Sequence, residues 1–197
     1  MAIWLTLPPI VNSLRLAAAG EAEKAYRQLP IQLPPPLHTV SWSTTEQQAY
    51  QQLRASLATQ AGMWAEALRE WQTVVAQTPE ALDAWQTLAE VAAAAEQWPT
   101  AVAAVRYLRQ QSAQYHSLYR EILLAAAQAA DNNHTALAIG WLESAWQTFP
   151  SESDFALTLG NLYREQGNLL AAEQILQAIL QQNPTHLAAR WNLGGLM

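Results

Sequence analysis

The sequence lacks cysteine altogether, which excludes disulfide bonds and every chemistry that needs a thiolate. It is also poor in charge, because only 13% of its residues are charged and lysine occurs once, as Lys24. The 10 basic and 16 acidic residues give a formal net charge of −6, so no nucleic acid partner is expected. No run of about 18 or more apolar residues occurs, which argues against a membrane-spanning helix. The expected location is the reducing cytoplasm, with a peripheral position at a membrane as the alternative.

Sequence patterns of catalytic sites are missing as well. No G-x-S-x-G, Walker loop or G-x-G-x-x-G pattern occurs. The histidines have no spacing that would place two of them on one helix face as metal ligands: His38, His116, His134 and His186. Glu66 and Glu70 lie four residues apart on a predicted helix, where such carboxylates usually form a solvated face. We therefore expect no enzyme, no cofactor and no metal.

The residues that are abundant favour helices. Ala, Leu and Gln dominate, and hydrophobic residues make up 51% of the chain, enough to bury a core. The 9 tryptophans are an unusual number. Such side chains lock neighbouring helices together and are also enriched at binding surfaces.

Residues 153–184 show the clearest pattern, two amphipathic helices joined by a turn. Gly167 is expected to end the first helix, because only glycine enters the left-handed conformation without strain. Pro184 is expected to end the second. Gly160 and Ala172 are small, so the two helices can approach closely there. The larger apolar residues of the pattern fill the space around that contact: Leu159, Tyr163, Leu169 and Leu176.

This pattern resembles the tetratricopeptide repeat, a unit of about 34 residues with an L-G-x2-Y run, a small residue after the turn and a terminal proline. The resemblance implies an all-α, right-handed superhelical solenoid of helix–turn–helix repeats. It extends over about residues 45–197. The unit around residues 62–79 has the same second-helix spacing, but its first helix departs from the pattern at Arg54, where the family has leucine.

Further units follow the same spacing. Trp85, Leu88 and Ala89 match the W-x2-L-G start of a unit, with alanine in place of the glycine, and the stretch 110–116 adds three residues before the next unit. Leu193-Gly194 begins another first helix. The predicted organisation is a degenerate hairpin with a proline-rich connector over residues 1–40, then an array of about four repeats over 41–197, the last one truncated.

Two segments keep alternative interpretations. The connector 29–40 is interpreted as a stiff spacer, the alternative being a ligand for a proline-recognising module. The apolar end 187–197 indicates either a fragment of a longer protein or an edge that docks on a partner.

The first helices of stacked hairpins line an inner, concave face, which is where a partner is expected. Leu123, Leu157 and Trp191 recur in one register and are expected to form an exposed apolar ladder there, although a further helix would bury them instead. The predicted partner-binding residues are Leu123, Leu157, Asn161, Arg164, Trp191, Gln86 and Arg120. Some family members hold acidic chaperone tails through lysines in this groove, but here those positions carry no lysine.

The resemblance thus implies a non-catalytic scaffold that binds a peptide or helix of another protein for complex assembly. One alternative is a regulatory or targeting domain of a larger enzyme. Another is a peripheral assembly factor at a membrane, with the apolar residues 1–12 as its anchor.

Overall fold

The protein, in a computed structural model that describes residues 8–34, 42–130 and 134–195, is built from α-helices. Within these ranges it forms eleven α-helices, one 3-10 helix and no strand. In chain order the α-helices are α1 Pro8–Ala18, α2 Ala22–Gln28, α3 Thr44–Gln60, α4 Trp64–Gln77, α5 Leu82–Ala94, α6 Trp98–Gln111, α7 His116–Gln128, α8 Thr135–Thr148, α9 Ser153–Glu165, α10 Leu169–Gln182 and α11 Leu187–Gly194. The all-α class predicted from the sequence is confirmed.

Helix pairs form where the repeat predicts them. Helix α3 packs against α4, α5 against α6 and α9 against α10, and each pair is joined by a three-residue turn. Successive pairs also meet, because α4 packs against α5, α8 against α9 and α10 against α11. The three extra residues predicted near 110–116 form the 3-10 helix Ala113–Tyr115, directly before α7.

The turns between paired helices share one backbone conformation. Gly62 and Gly167 both have a left-handed φ, of +67° and +75°. Glu96 holds the corresponding place between α5 and α6 with a φ of 55°, although a side chain disfavours that conformation. The predicted role of the turn glycines is confirmed, and Glu96 adopts the same turn at a conformational cost.

Gly160 separates α9 from α10 less tightly than its place in the pattern suggests. A Cβ atom added there would lie 3.6 Å from the side chain of Leu176, which is an ordinary van der Waals distance. The pair therefore has room for alanine at this position.

The first two helices pack against α3. Ile10, Ala25, Leu29, Tyr50 and Leu57 form one buried cluster contributed by α1, α2 and its C-terminal end, and α3. Contacts between Cα atoms divide the chain into two units, Met1–His116 and Ser117–Met197. The boundary predicted at residue 40 stays a prediction. Most of the proline-rich connector and residues 1–7 of the predicted anchor lie outside the described residues.

Arg54 and Glu70 correct two expectations. Glu70 was expected on a solvated face, yet its side chain is only 13% exposed, and that of Arg54 is 7% exposed. Arg54 donates hydrogen bonds to Glu70 and to the carbonyl oxygens of Leu29 and Pro30. The position that the family fills with leucine therefore holds an arginine that joins α3 to α4 and to the end of α2.

Candidate functional site

The first helices of the unit Ser117–Met197 form one continuous surface. Arg120 of α7 makes an ion pair with Asp154 of α9, 34 residues further along the chain. The rings of Tyr119 and Phe155 meet edge to face, with their centroids 6.3 Å apart. These contacts place α7 and α9 side by side in the register that the repeat predicts.

The next first helix continues this surface. His186, at the start of α11, lies with its Nε2 3.1 Å from the Ser153 hydroxyl of α9. Its Nδ1 accepts a hydrogen bond from the amide of Ala189, so it caps α11. Further along, Asn192 donates to the side-chain oxygen of Asn161 at 3.3 Å. Polar side chains thus join all three first helices of this unit.

The predicted apolar ladder is wrong at Leu123, which is 0% exposed. Leu123 lies one helical turn after Tyr119, on the side of α7 that packs towards α9. Register alone predicted that it lines the inner face, but register does not show which neighbouring helix covers a position. Leu123 is a core residue and no part of an exposed binding surface.

The other two members of the ladder have different environments. Leu157 is half-buried and packs against a cluster that includes Leu176 of α10 and Ala189 of α11. Trp191 is 84% exposed. The side chain at this repeat position is thus buried in α7, half-buried in α9 and exposed in α11. The position therefore lies on the side on which successive first helices stack.

The polar candidates remain accessible on this surface. Asn161 is half-buried and Arg164, one turn further along α9, is exposed with no ion-pair partner among the described residues. Arg120 is half-exposed, and its charge faces the carboxylates of Asp154 and Glu152. Gln86 lies in the other unit, where its amide donates to Glu90 at 3.0 Å.

Sequence reasoning missed two residues of this region. Asn192 was not predicted, because its amide partner Asn161 lies on another helix. Leu187 was assigned only to an apolar end segment, yet it is 79% exposed at the first position of α11. The available signal for Leu187 was that an apolar residue stands where the preceding repeat has the polar Ser153.

Among the described residues, no group of three or more His, Asp or Glu side chains is arranged to hold a metal ion. Within the same ranges no helix combines the length and the apolar character needed to cross a membrane.

Helix pairs in sequence, with first helices that line one surface, define a helical-repeat protein. The family model described as tetratricopeptide repeat matches residues 129–197. This part of the chain is thus similar to the tetratricopeptide repeat family. No curated protein matches it.

Many solved structures are similar to the chain, and three of them serve as examples. The first, described as "YrrB: a TPR protein with an unusual peptide-binding site", is 16% identical, with a TM-score of 0.44 over 96% of this chain and 90% of that one. TTC0263, a TPR protein of Thermus thermophilus, is 17% identical, with a TM-score of 0.37 over 95% and 96%. MamA from Desulfovibrio magneticus RS-1 is 14% identical, with a TM-score of 0.43 over 90% and 95%.

Proposed function

We propose that the protein is a non-catalytic scaffold that binds an extended or helical segment of another protein, for complex assembly in the cytoplasm. The binding surface is the one formed by α7, α9 and α11. The observation that carries the proposal is the pair of polar contacts, Arg120 with Asp154 and Asn161 with Asn192, which fix three helices into one surface. A rigid, continuous surface of this kind loses little conformational entropy when a partner docks.

The chemistry of the surface indicates the segment that it would take. Arg164 is exposed and unpaired among the described residues, and a guanidinium binds a carboxylate through two parallel hydrogen bonds. The amides of Asn161 and Asn192 offer donors and acceptors to a peptide backbone. Leu157, one turn before Asn161 on α9, adds a half-buried apolar side chain. The partner segment is therefore expected to carry an acidic side chain beside an apolar one.

Arg120 has a different role in this proposal. Its guanidinium already faces Asp154 and Glu152, so it adds little free positive charge for a partner. Removing it would loosen the contact between α7 and α9 and thereby the surface itself.

The test is affinity capture from the native host with the 197-residue chain, followed by measurement of the affinity for the purified partner. We expect Arg164→Glu to weaken binding at least about tenfold, because it replaces an attractive charge with a repulsive one. Arg106→Glu makes the same charge change on α6, at an exposed residue outside the surface, and is the matched control. A partner that binds Arg164→Glu as well as it binds the original chain would overturn the assigned surface.

The variants must avoid the core. Asp at Leu123 would bury a carboxylate among apolar side chains and unfold the unit, so lost binding would carry no information. Asn161→Ala removes one amide at a half-buried position and serves as the second surface variant. Circular dichroism of each variant checks that the helices are retained.

A further inference from the structure

The unit Met1–His116 contains a cleft that lies between the first helices α3 and α5 and beside the 3-10 helix Ala113–Tyr115. Its volume is about 670 Å³, within the roughly 300–1,000 Å³ that is typical of ligand-binding clefts. Several of its polar side chains form no hydrogen bond or ion pair with any described residue: Gln52, Ser56, Glu80, Asp83, Gln114 and Tyr115. The cleft therefore offers a set of hydrogen-bonding groups that the fold itself does not use.

Two carboxylates make the cleft negative. Glu80 lies in the turn between α4 and α5, Asp83 lies in the first turn of α5, and both are exposed. Neither carboxylate caps α5, whose N-terminus has no side-chain cap. None of the described residues that line the cleft is basic. The positive end of the α5 dipole offsets roughly half an elementary charge, so two carboxylates leave the cleft negative.

A buried hydroxyl gives a second, independent indication of a ligand. Tyr115 lines the cleft and is only 8% exposed, yet its hydroxyl has no hydrogen-bond partner in the described part of the chain. Other tyrosine hydroxyls do donate to an acceptor of the chain, namely those of Tyr26, Tyr50, Tyr107 and Tyr163. Because a buried polar group without a partner is costly, the Tyr115 hydroxyl is suited to a partner from outside the chain.

The remaining lining residues indicate the shape of that partner. Trp71 and Ala84 are buried and give the cleft an apolar floor. Gln52 and Ser56 lie four residues apart on one face of α3 and add an amide and a hydroxyl. A long basic side chain fits such a cleft, because its methylene stem packs on apolar surface while its charged end stays among polar groups.

We propose that this cleft binds a segment of another protein through an arginine side chain of that segment. A guanidinium has five N–H donors and no acceptor, and it pairs with carboxylates through parallel hydrogen bonds. The acceptors available to it are the carboxylates of Glu80 and Asp83 and the hydroxyl of Tyr115. Lysine has only three donors on a single nitrogen and is expected to bind more weakly.

This site differs from the proposed partner-binding surface in place and in charge. The surface formed by α7, α9 and α11 belongs to the unit Ser117–Met197 and is expected to take an acidic side chain at Arg164. The cleft belongs to the unit Met1–His116 and takes a basic one. The two sites are therefore separable, and Arg164→Glu should leave the affinity of the cleft unchanged.

The test is a titration of the 197-residue chain with a short peptide that carries one arginine between glycines and is blocked at both ends. The indole N–H signal of Trp71, assigned by its loss in Trp71→Phe, reports binding in nuclear magnetic resonance spectra. We expect a dissociation constant of about 0.1–1 mM, because one side chain supplies the contacts. The same peptide with uncharged citrulline should bind at least about tenfold more weakly.

Variants of the cleft separate recognition from general attraction. Glu80→Gln and Asp83→Asn should each weaken binding about threefold and together about tenfold, as expected for exposed charge pairs. Tyr115→Phe retains the ring and should weaken binding about threefold or more through the lost hydroxyl. Glu90→Gln makes the same charge change at an exposed residue of α5 outside the cleft, and it is the matched control. Circular dichroism checks that every variant keeps its helices.

Three results would overturn the proposal. The first is equal affinity for the arginine and citrulline peptides. The second is an unchanged affinity in the double variant of Glu80 and Asp83. The third is an equal loss in Glu90→Gln, which would mean that the net charge of −6 attracts the peptide without a site. Failure of the surface at Arg164 would show no change in this titration, so the two proposals fail independently.

Discussion

Arg54 and Glu70 form a buried ion pair in which two guanidinium nitrogens approach one carboxylate oxygen. The distances from Oε1 of Glu70 are 2.6 Å to Nη2 and 3.1 Å to Nε of Arg54. The hydroxyl of Tyr26 donates to the same oxygen at 2.7 Å. The remaining nitrogen, Nη1, donates to the carbonyls of Pro30 at 2.6 Å and Leu29 at 3.2 Å. The Arg54 side chain thus joins α4 to the carbonyl oxygens that follow α2.

We expect Arg54→Leu, which restores the family's residue, to destabilise the protein. The change leaves the Glu70 carboxylate buried without its cation, which typically costs about 3–5 kcal/mol in free energy of unfolding. The double variant Arg54→Leu with Glu70→Leu should recover most of this loss, because both charges are then gone. Urea denaturation of the three chains measures the difference. A loss below about 1 kcal/mol for the single variant would mean that the pair does not act as a buried one.

The same pair makes stability depend on acid. Burial alone would raise the pKa of Glu70, but the hydrogen bonds from Arg54 and Tyr26 outweigh it and leave the pKa below its ordinary value. A lowered folded-state pKa contributes stability that is present above about pH 4.3, the unfolded value, and is lost as the pH falls through the folded value. Denaturation between neutral pH and about pH 3 should show this loss, and Glu70→Gln should show a smaller one. Equal losses would contradict the assignment.

The hydrogen bond between Tyr163 and Glu143 makes stability depend on alkaline pH. Its hydroxyl donates to Oε1 of Glu143 at 2.5 Å, and this bond, together with burial and the carboxylate's charge, raises the pKa of Tyr163 to about 12. The corresponding stability is complete below about pH 10 and is lost as the pH rises through about 12. Burial also raises the pKa of Tyr26 and Tyr50, so ultraviolet titration should show several late tyrosines, and Tyr163→Phe should remove one of them. Glu143→Gln should move its ionisation to lower pH, and an unchanged titration would disprove the contact.

The turn residues give a pair of opposite effects. Glu96 holds a left-handed φ of 55°, so Glu96→Gly relieves backbone strain of about 1–2 kcal/mol. The greater flexibility of glycine in the unfolded chain offsets about 0.5–1 kcal/mol of this gain, so the variant should be slightly more stable. Gly167→Ala imposes that strain at a φ of +75° and should destabilise by about 1 kcal/mol. Thermal unfolding followed by circular dichroism measures both. If both variants shifted the midpoint in the same direction, the left-handed turn would not be the cause.

The helices and their turns were predictable because their signals are local. Gly167 and Pro184 mark the ends of elements within one unit, and the spacing repeats at Gly62 and Pro79. Arg54 was recognised as a departure, but its partners could not be predicted, since the carbonyls of Leu29 and Pro30 lie 25 and 24 residues away and belong to no periodic pattern.

The candidate surface was predictable only in part, for a related reason. The 34-residue spacing assigned Leu123, Leu157 and Trp191 to one register, and in the structure they lie on the successive first helices α7, α9 and α11. Their exposure ranges from nothing to nearly complete, because it is set by the helix that stacks next to each of them. That neighbour is a property of tertiary packing, and one helix's sequence does not encode it.

The packing of α1 and α2 against α3 has a consequence for the evolution of the chain. A truncation before Trp42 would remove Ile10 and Leu29 from their contacts with Tyr50 and Leu57, and the uncovered apolar face would promote aggregation. The same cut would take away the carbonyl oxygens that Arg54 binds. Lineages that lose the first hairpin should therefore also change Arg54, most simply to the leucine of ordinary repeats.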